Sequence, residues 1–569
     1  MATLANTEMP EANAVAHRGA DLVWRALEHA GADVAFGYPG GACLPLYDAL
    51  PDHPRVHHVL VRHEQGAAHM ADGYARATGR VGVCVATSGP GATNLVTGLA
   101  CAYMDSIAMV AITGQVSTPL MGRDAFQETD VLGMVGPITK HSFLVERAED
   151  IEPTIHRAFA VARAGRPGPV VVDIPKDIQL GTATARSRTT EVATSPGGAD
   201  ASELDRAAAL LAAAERPLII AGHGVRLARA HRELRALAER MDAPVVTTLL
   251  GIGALAEDHP LAAGMLGMHG SANANRMVND ADVILGVGLR FDDRVTGKIS
   301  AFAPSAKIIH ADIDPTQLGK NVPTTVGIVA DAGAALFALA ARLERTSRPA
   351  WRGRLEQGRP RPRLAAYEDR VELPPRLVIR AIRETASEDA YFVADVGQHQ
   401  MWAAQHLRLT HADRFLTSGG LGAMGYALPA AIGAQLGRPT SEVWAIAGDG
   451  GAQMTIHELG TAVQERTPVK LAIMNNGYLG MVRQWQQLFH DGRISQTPIS
   501  SPDYVKLADA YDVLGIRVDR RADLGPSLAR ARAHPGPVVL DIRIEREANV
   551  WPIVPPGGAN ADLIEEPLS

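Results

Sequence analysis

At 569 residues the chain is too long for one hydrophobic core, and three or four domains is the natural expectation. Its 46% hydrophobic and 21% charged residues form an ordinary globular balance that excludes a disordered chain. A formal net charge of −7 without any Lys/Arg block argues against nucleic acid as a partner.

The first residues show no basic start followed by an apolar stretch, so no secretory signal is read and a cytoplasmic location is expected. Cys43, Cys84 and Cys101 lack CxxC or His-linked spacing and read as small apolar core residues in a reducing compartment. In the first segment, strands are expected at 81–86, 107–113 and 169–174, with a helix over 62–76. The uncharged stretch 81–104 resembles a membrane span by length, but Ser88, Gly89, Pro90, Gly91 and Asn94 interrupt it. The stretch 416–437 fails for the same reason, through its glycines and Pro429, so no membrane association is expected. Composition shifts place linkers at 180–202 and 345–375 and divide the chain into domains at 13–184, 203–345 and 375–555. Middle-segment strands are expected at 217–221, 282–287 and 307–311, and third-segment strands at 391–394, 443–447, 469–474 and 537–542. The fold class is α/β, three parallel sheets flanked by helices, and one architecture occurring three times suggests duplication.

The third segment carries Gly448-Asp449-Gly450 and, 27 positions after the Asp, Asn476. With strands at 443–447 and 469–474 and a helix over 455–466, both polar residues fall just past the carboxyl ends of parallel strands, where open α/β sheets bind ligands. Asp449, Asn476, a backbone carbonyl near Tyr478 and diphosphate oxygens would give Mg²⁺ the oxygen octahedron it demands. Gly448 and Gly450 would let the backbone approach phosphates. The plainer alternative is a βα turn with an Asp helix cap. Glu64, in the first turn of its helix, serves the macrodipole more often than catalysis when taken alone. In the middle segment, Gly222-His223-Gly224 and Gly286-Val287-Gly288 follow strands without completing G-x-G-x-x-G, and Asp312 and Asp314 end a third strand, so the residues alone allow a dinucleotide site.

The blocks Tyr38-Pro39-Gly40-Gly41-Ala42, His63-Glu64-Gln65-Gly66-Ala67 and Thr87-Ser88-Gly89-Pro90-Gly91-Ala92-Thr93-Asn94, with the Asp449 to Asn476 unit, resemble a thiamine-diphosphate enzyme. DAFQETD at 124–130, MLGMHGSANAN at 265–275, GLRFDDRVTGK at 288–298, GQHQMWAAQ at 397–405 and NNGYLGMVRQWQ at 475–486 narrow the resemblance to the acetohydroxyacid (acetolactate) synthase catalytic subunits, over nearly the whole chain.

That resemblance implies that Glu64 hydrogen-bonds the aminopyrimidine of thiamine diphosphate and helps generate the base that takes the C2 proton. It implies further cofactor contacts at Gly40, Gly41, Gln398, His399, Gln400, Gly422, Met424 and Gly450, with Mg²⁺ on Asp449, Asn476 and Tyr478. The resemblance also implies a thiamine-diphosphate-binding fold with a central Rossmann-like flavin domain, in which FAD would lie against Arg166, His269, Arg290 and Asp312 without net redox work. A second 2-keto acid would be held by Arg290, gripping its carboxylate, with Trp485, Met481, Phe126, Gln127 and Lys176 around it. The implied reaction decarboxylates pyruvate and passes its hydroxyethyl unit to pyruvate or 2-ketobutyrate, for valine, leucine and isoleucine synthesis. Active sites would form between chains of a homodimer or tetramer, with a possible regulatory small subunit. A flavin-using pyruvate oxidase and a flavin-independent catabolic acetolactate synthase are the alternatives on the same scaffold.

Overall fold

The computed structural model describes residues 16–185, 198–359 and 373–567. Three six-stranded parallel sheets organise it. The first runs in space as His57–Leu60, Val34–Gly37, Gly82–Ala86, Met109–Gln115, Pro169–Pro175, His141–Leu144. The second runs as Ala262–Met265, Val245–Thr247, Pro217–Ala221, Val283–Val287, Lys307–Asp312, Val326–Val329. The third runs as Phe415–Thr417, Tyr391–Ala394, Val443–Gly448, Lys470–Asn475, Val538–Arg543, Leu514–Val518. The central strands are largely apolar because both faces are covered: every residue of Gly82–Ala86, Met109–Gln115 and Pro169–Pro175 is buried, and the polar exceptions Thr113, Gln115 and Asp173 hydrogen-bond one another.

Numbered within each unit, the first and third sheets share the order 2-1-3-4-6-5, whereas the middle sheet is ordered 3-2-1-4-5-6. The parallel α/β architecture expected three times is present in all three units but in two strand orders, so the likeness that suggested duplication extends in detail only to the first and third. Hydrophobic periodicity registers the alternation of strand and helix but not which neighbour a crossover lands beside, so the sequence pattern could not separate the two. The middle order is that of dinucleotide-binding sheets, with its switch point between Pro217–Ala221 and Val283–Val287. The loops leaving those strands touch there: a Cβ on Gly224 would lie 2.6 Å from the Gly288 Cα.

The uncharged stretches resolve into buried helices and strands, and no helix among the described residues is long and apolar enough to cross a membrane. Ala427–Gly437, buried along most of its length, packs against Glu64–Thr78 and joins the first sheet's unit to the third's. The stretch read as a second linker carries the helix Pro349–Gln357, whose Trp351 ring nitrogen donates to the Pro217 carbonyl and whose Leu355 is fully buried against the middle unit. The rest of that linker, 360–372, and residues 186–197 of the other lie outside the described residues. The helix expected over 455–466 begins earlier, as Asp449–Thr455, then passes through a 3₁₀ turn, Ile456–Glu458, into Leu459–Gln464. All three cysteines are buried and free, with the Cys84 and Cys101 thiols pushed up to about 12 by burial.

Candidate active site

Asp449 and Asn476 emerge from adjacent parallel strands in register, Gly448 opposite Met474. The Asp449 carboxylate is buried, and its Oδ2 accepts from the Gly477 amide at 3.0 Å and the Ser501 hydroxyl at 2.9 Å. Burial pushes its pKa up while these donors oppose the shift. Its carbonyl is fixed by the Tyr504 hydroxyl at 2.8 Å. The Asn476 Oδ1 accepts from the Tyr478 amide at 3.1 Å, and its Nδ2 faces Gln398 Oε1 at 3.4 Å. The Tyr478 ring is engaged by Arg546, 4.7 Å away, so Tyr478 offers the site its backbone. A cavity of about 60 Å³ joins Asp449, Gly450, Asn476, Tyr478, Gln398 and His399. Within it His399 Nε2 is buried without a hydrogen-bond partner, and burial pushes its pKa down to about 3. An unpaired buried imidazole beside a glycine-lined turn suits an anionic oxygen better than it suits a finished core. Gln398 is spent on structure, its amide donating to Gln484 and the Ala548 carbonyl. Gln400 likewise donates to Thr417 and the Ser418 carbonyl.

A second cavity, of about 1350 Å³, lies where the three units meet and shares Gly397, Met424, Met481 and Val482 with the first. Arg166, His269, Arg290, Asp312, Gly422 and Trp485 line it as well. It therefore collects every residue assigned above to flavin, together with three of those assigned to substrate, Arg290, Met481 and Trp485, the first of them common to both sets. Burial pushes His269 down to about 4 and Asp312 up to about 6, the latter against the pull of Arg166. The Arg290 guanidinium is committed: it donates to the Met104 carbonyl at 2.8 Å and sits 3.6 Å from Asp292. Arg294, four residues on, lies over the Trp485 ring at 5.9 Å. Sequence reading passed over Arg294, although its position in RFDDRVTGK among quoted motif residues was a usable signal.

Glu64 begins the helix Glu64–Thr78, is 8% exposed, and accepts from the Asn94 amide at 2.9 Å. His63, the residue before it, caps the helix by accepting from the Gln65 amide. Buried Glu458, from the third unit, accepts the amides of Arg62 and His63 and so fixes the chain entering that helix. Gly40 packs on Thr87, whose hydroxyl accepts from the Ala42 amide. Neither Glu64, Gly40 and Gly41, nor Phe126, Gln127 and Lys176, line either cavity. Phe126 is 89% exposed. The chain thus assembles one group of expected residues around Asp449 and the large cavity and leaves the other group apart, on the first unit. Among the described residues no cluster of three His, Cys, Asp or Glu could hold a metal, so an ion at Asp449 would need additional oxygens from its ligand.

Three family profiles match the three units: the N-terminal TPP binding domain of thiamine pyrophosphate enzymes at residues 17–134, their central domain at 204–339, and their C-terminal TPP binding domain at 395–542. Fold and site thus define a thiamine pyrophosphate enzyme. The chain is 49% identical over 561 residues to the acetolactate synthase large subunit of Mycobacterium tuberculosis, covering 96% of this chain and 91% of that one. It is 46% identical over 551 residues to the isozyme 2 large subunit of Escherichia coli, covering 96% and 99%. A probable large subunit from Methanocaldococcus jannaschii is 46% identical over 564 residues, covering 96% and 95%. The chain belongs to the acetolactate synthase large-subunit family.

Proposed function

We propose that the chain is the catalytic subunit that joins pyruvate to a second 2-keto acid, pyruvate or 2-ketobutyrate, and releases CO₂ and a 2-acetohydroxy acid for branched-chain amino acid synthesis. One observation carries the reading: Asp449, Asn476 and the unpaired His399 nitrogen close one cavity that opens into a larger cavity walled by Trp485 and four arginines, Arg163, Arg166, Arg290 and Arg294. When bound, thiamine diphosphate supplies an electron sink for decarboxylation and a carbon nucleophile for ligation. Asp449, Asn476 and the Tyr478 backbone would hold Mg²⁺, and His399 would meet the diphosphate. Glu64, aligned by Asn94, would hold and return a proton at the aminopyrimidine. Arg166 from the first unit, with His269, Arg290 and Asp312, would hold FAD against the middle unit, whose strand order is that of dinucleotide-binding sheets, and the enzyme would be anabolic with a non-redox flavin. Trp485 and Met481 would wall the second keto acid.

The separation of Glu64 from Asp449 and the exposure of Phe126 support active sites completed between two chains. A small regulatory subunit and a cytoplasmic location belong to the same reading. The test is product identification. Pyruvate and 2-ketobutyrate incubated with thiamine diphosphate, Mg²⁺ and FAD should yield acetohydroxy acids; acetyl phosphate or acetate with stoichiometric flavin reduction would identify an oxidase instead. Full activity of protein stripped of flavin would identify the flavin-independent catabolic enzyme.

A further inference from the structure

The turn Met104–Asp105–Ser106, at the end of helix Val96–Asp105, touches all three units at once. The buried Asp105 carboxylate accepts the amides of Gly420 at 2.7 Å and Gly419 at 3.0 Å, from the third unit, and the Arg76 guanidinium at 2.8 Å. Its backbone carbonyl is bonded by His223 Nδ1 at 2.8 Å, from the middle unit. On either side, the Met104 carbonyl holds Arg290 at 2.8 Å and the Ser106 hydroxyl accepts from Arg166 Nε at 2.8 Å. Ser106 itself takes a left-handed φ of 62°, so this turn is a specified shape, held by its partners. Buried Asp72 accepts from both Arg76 and Tyr426, so Asp105 is the carboxylate of this cluster that reaches the glycine loop. That loop leads within a few residues to Gly422 and Met424, and the amides of Gly422 and Ala423 donate to the Ser418 hydroxyl.

We infer that Asp105 is a positioning residue that sets the thiamine-side loop 419–424 and the flavin-side arginines from one turn, so that the two cofactor sites are coupled through it. The inference rests on the reading of the site given above. A carboxylate accepting two adjacent main-chain amides and a guanidinium fixes a loop more tightly than any neutral acceptor could. In Asp105→Asn one oxygen becomes a donor aimed at donors, and the glycine loop and the turn must shift together.

The experiment measures half-saturation of the purified full chain by thiamine diphosphate, from intrinsic fluorescence, and by FAD, from flavin fluorescence quenching, alongside the thermal midpoint without cofactors. Asp105→Asn should weaken both by about ten-fold or more, the loss of one or two charge-assisted hydrogen bonds. Gly420→Ala approaches the same contact from the loop side. Its added Cβ would lie 2.8 Å from Asp105 Oδ1, 2.9 Å from the Met104 Cβ and 3.2 Å from Arg290 Nη2, and it should weaken both affinities in parallel. If Asp105→Asn does not fold, Gly420→Ala decides alone. A lower midpoint with both affinities unchanged would reduce Asp105 to a packing residue, and a change in one affinity only would refute the coupling. Failure of the wild-type chain to bind thiamine diphosphate would instead overturn the reading of the site.

Discussion

Arg290 and Arg294 lie four residues apart on the same cavity, yet their surroundings divide their duties. Arg290 is held by a carbonyl of the first unit, whereas Arg294 reaches the ring of Trp485 and keeps an exposed side chain. A carboxylate bound beside Trp485 would then pair with Arg294, the arginine next to that ring. Arg294→Ala should therefore raise the KM for the second keto acid by about ten- to a hundred-fold, the worth of a charge-assisted hydrogen bond, and leave flavin affinity unchanged. Arg290→Ala should do the reverse, and competition kinetics with flavin titration of both variants would expose an exchange of these roles. Asp312 gives a pH signature at the same scale. Burial raises its pKa to about 6, so it gains a proton as pH falls through that value, and a neutral carboxyl is a poorer acceptor for ribose hydroxyls. Flavin affinity should then fall toward ten-fold per pH unit below about 6 and level off above it. His269 stays neutral in this window because its pKa is near 4, so Asp312→Asn should flatten the profile between pH 5 and 7. Asp449, Asn476 and Glu64 were legible in sequence because each sits at a strand end or helix start that local pattern fixes. Asp105 was not, since its amide partners lie more than 300 residues away and no local periodicity encodes them.

At the scale of elements, the strands indicated by continuous apolar runs lie within two residues of their expected positions, because such runs are the signature of doubly covered strands, whereas the short strands at the sheet edges, such as Ala262–Met265 and Leu514–Val518, were not indicated. Pro217–Ala221 and Tyr391–Ala394 occupy the positions that pattern indicates. Sheet order was not readable, because it is set by crossovers and not by the strands themselves. Nor was the contact of helices Glu64–Thr78 and Ala427–Gly437, whose glycines serve packing: a Cβ on Gly73 would lie 2.0 Å from the Ala430 carbonyl oxygen, and one on Gly433 1.9 Å from that of Met70. Two opposing effects meet there. Helix propensity favours Ala over Gly by about 1 kcal/mol, whereas overpacking costs about 1–3 kcal/mol. The atoms met are backbone on both sides and cannot swing away, so the clash should win. Gly433→Ala should lower the denaturation midpoint and loosen the seam between the first and third units; a raised midpoint would show that the helices are not in close contact.

For the whole molecule, the placement of Glu64 outside the cavity of Asp449 and Asn476 is what the proposed two-chain site rests on. Within the chain, Glu64 is tied by Asn94 and its helix entry by Glu458, while the cavity of Asp449 and Asn476 includes neither Glu64 nor the glycines near it. The shared 2-1-3-4-6-5 order of the first and third sheets gives each chain two similar halves that can face their counterparts in a second copy. Complementation follows from that geometry. Glu64→Gln and Asp449→Asn should each abolish activity alone, the former by removing acid–base assistance worth about 10²–10⁴-fold. Co-expressed with different tags, the two chains of the proposed dimer would form roughly half heterodimers. In each heterodimer one site draws Glu64 and Asp449 from the two unmutated halves and the other draws both defects. About one quarter of wild-type activity should therefore return, concentrated in the doubly tagged fraction. Sites closed within single chains would each retain a defect, so a doubly tagged fraction as inactive as its parents would rule out a shared site.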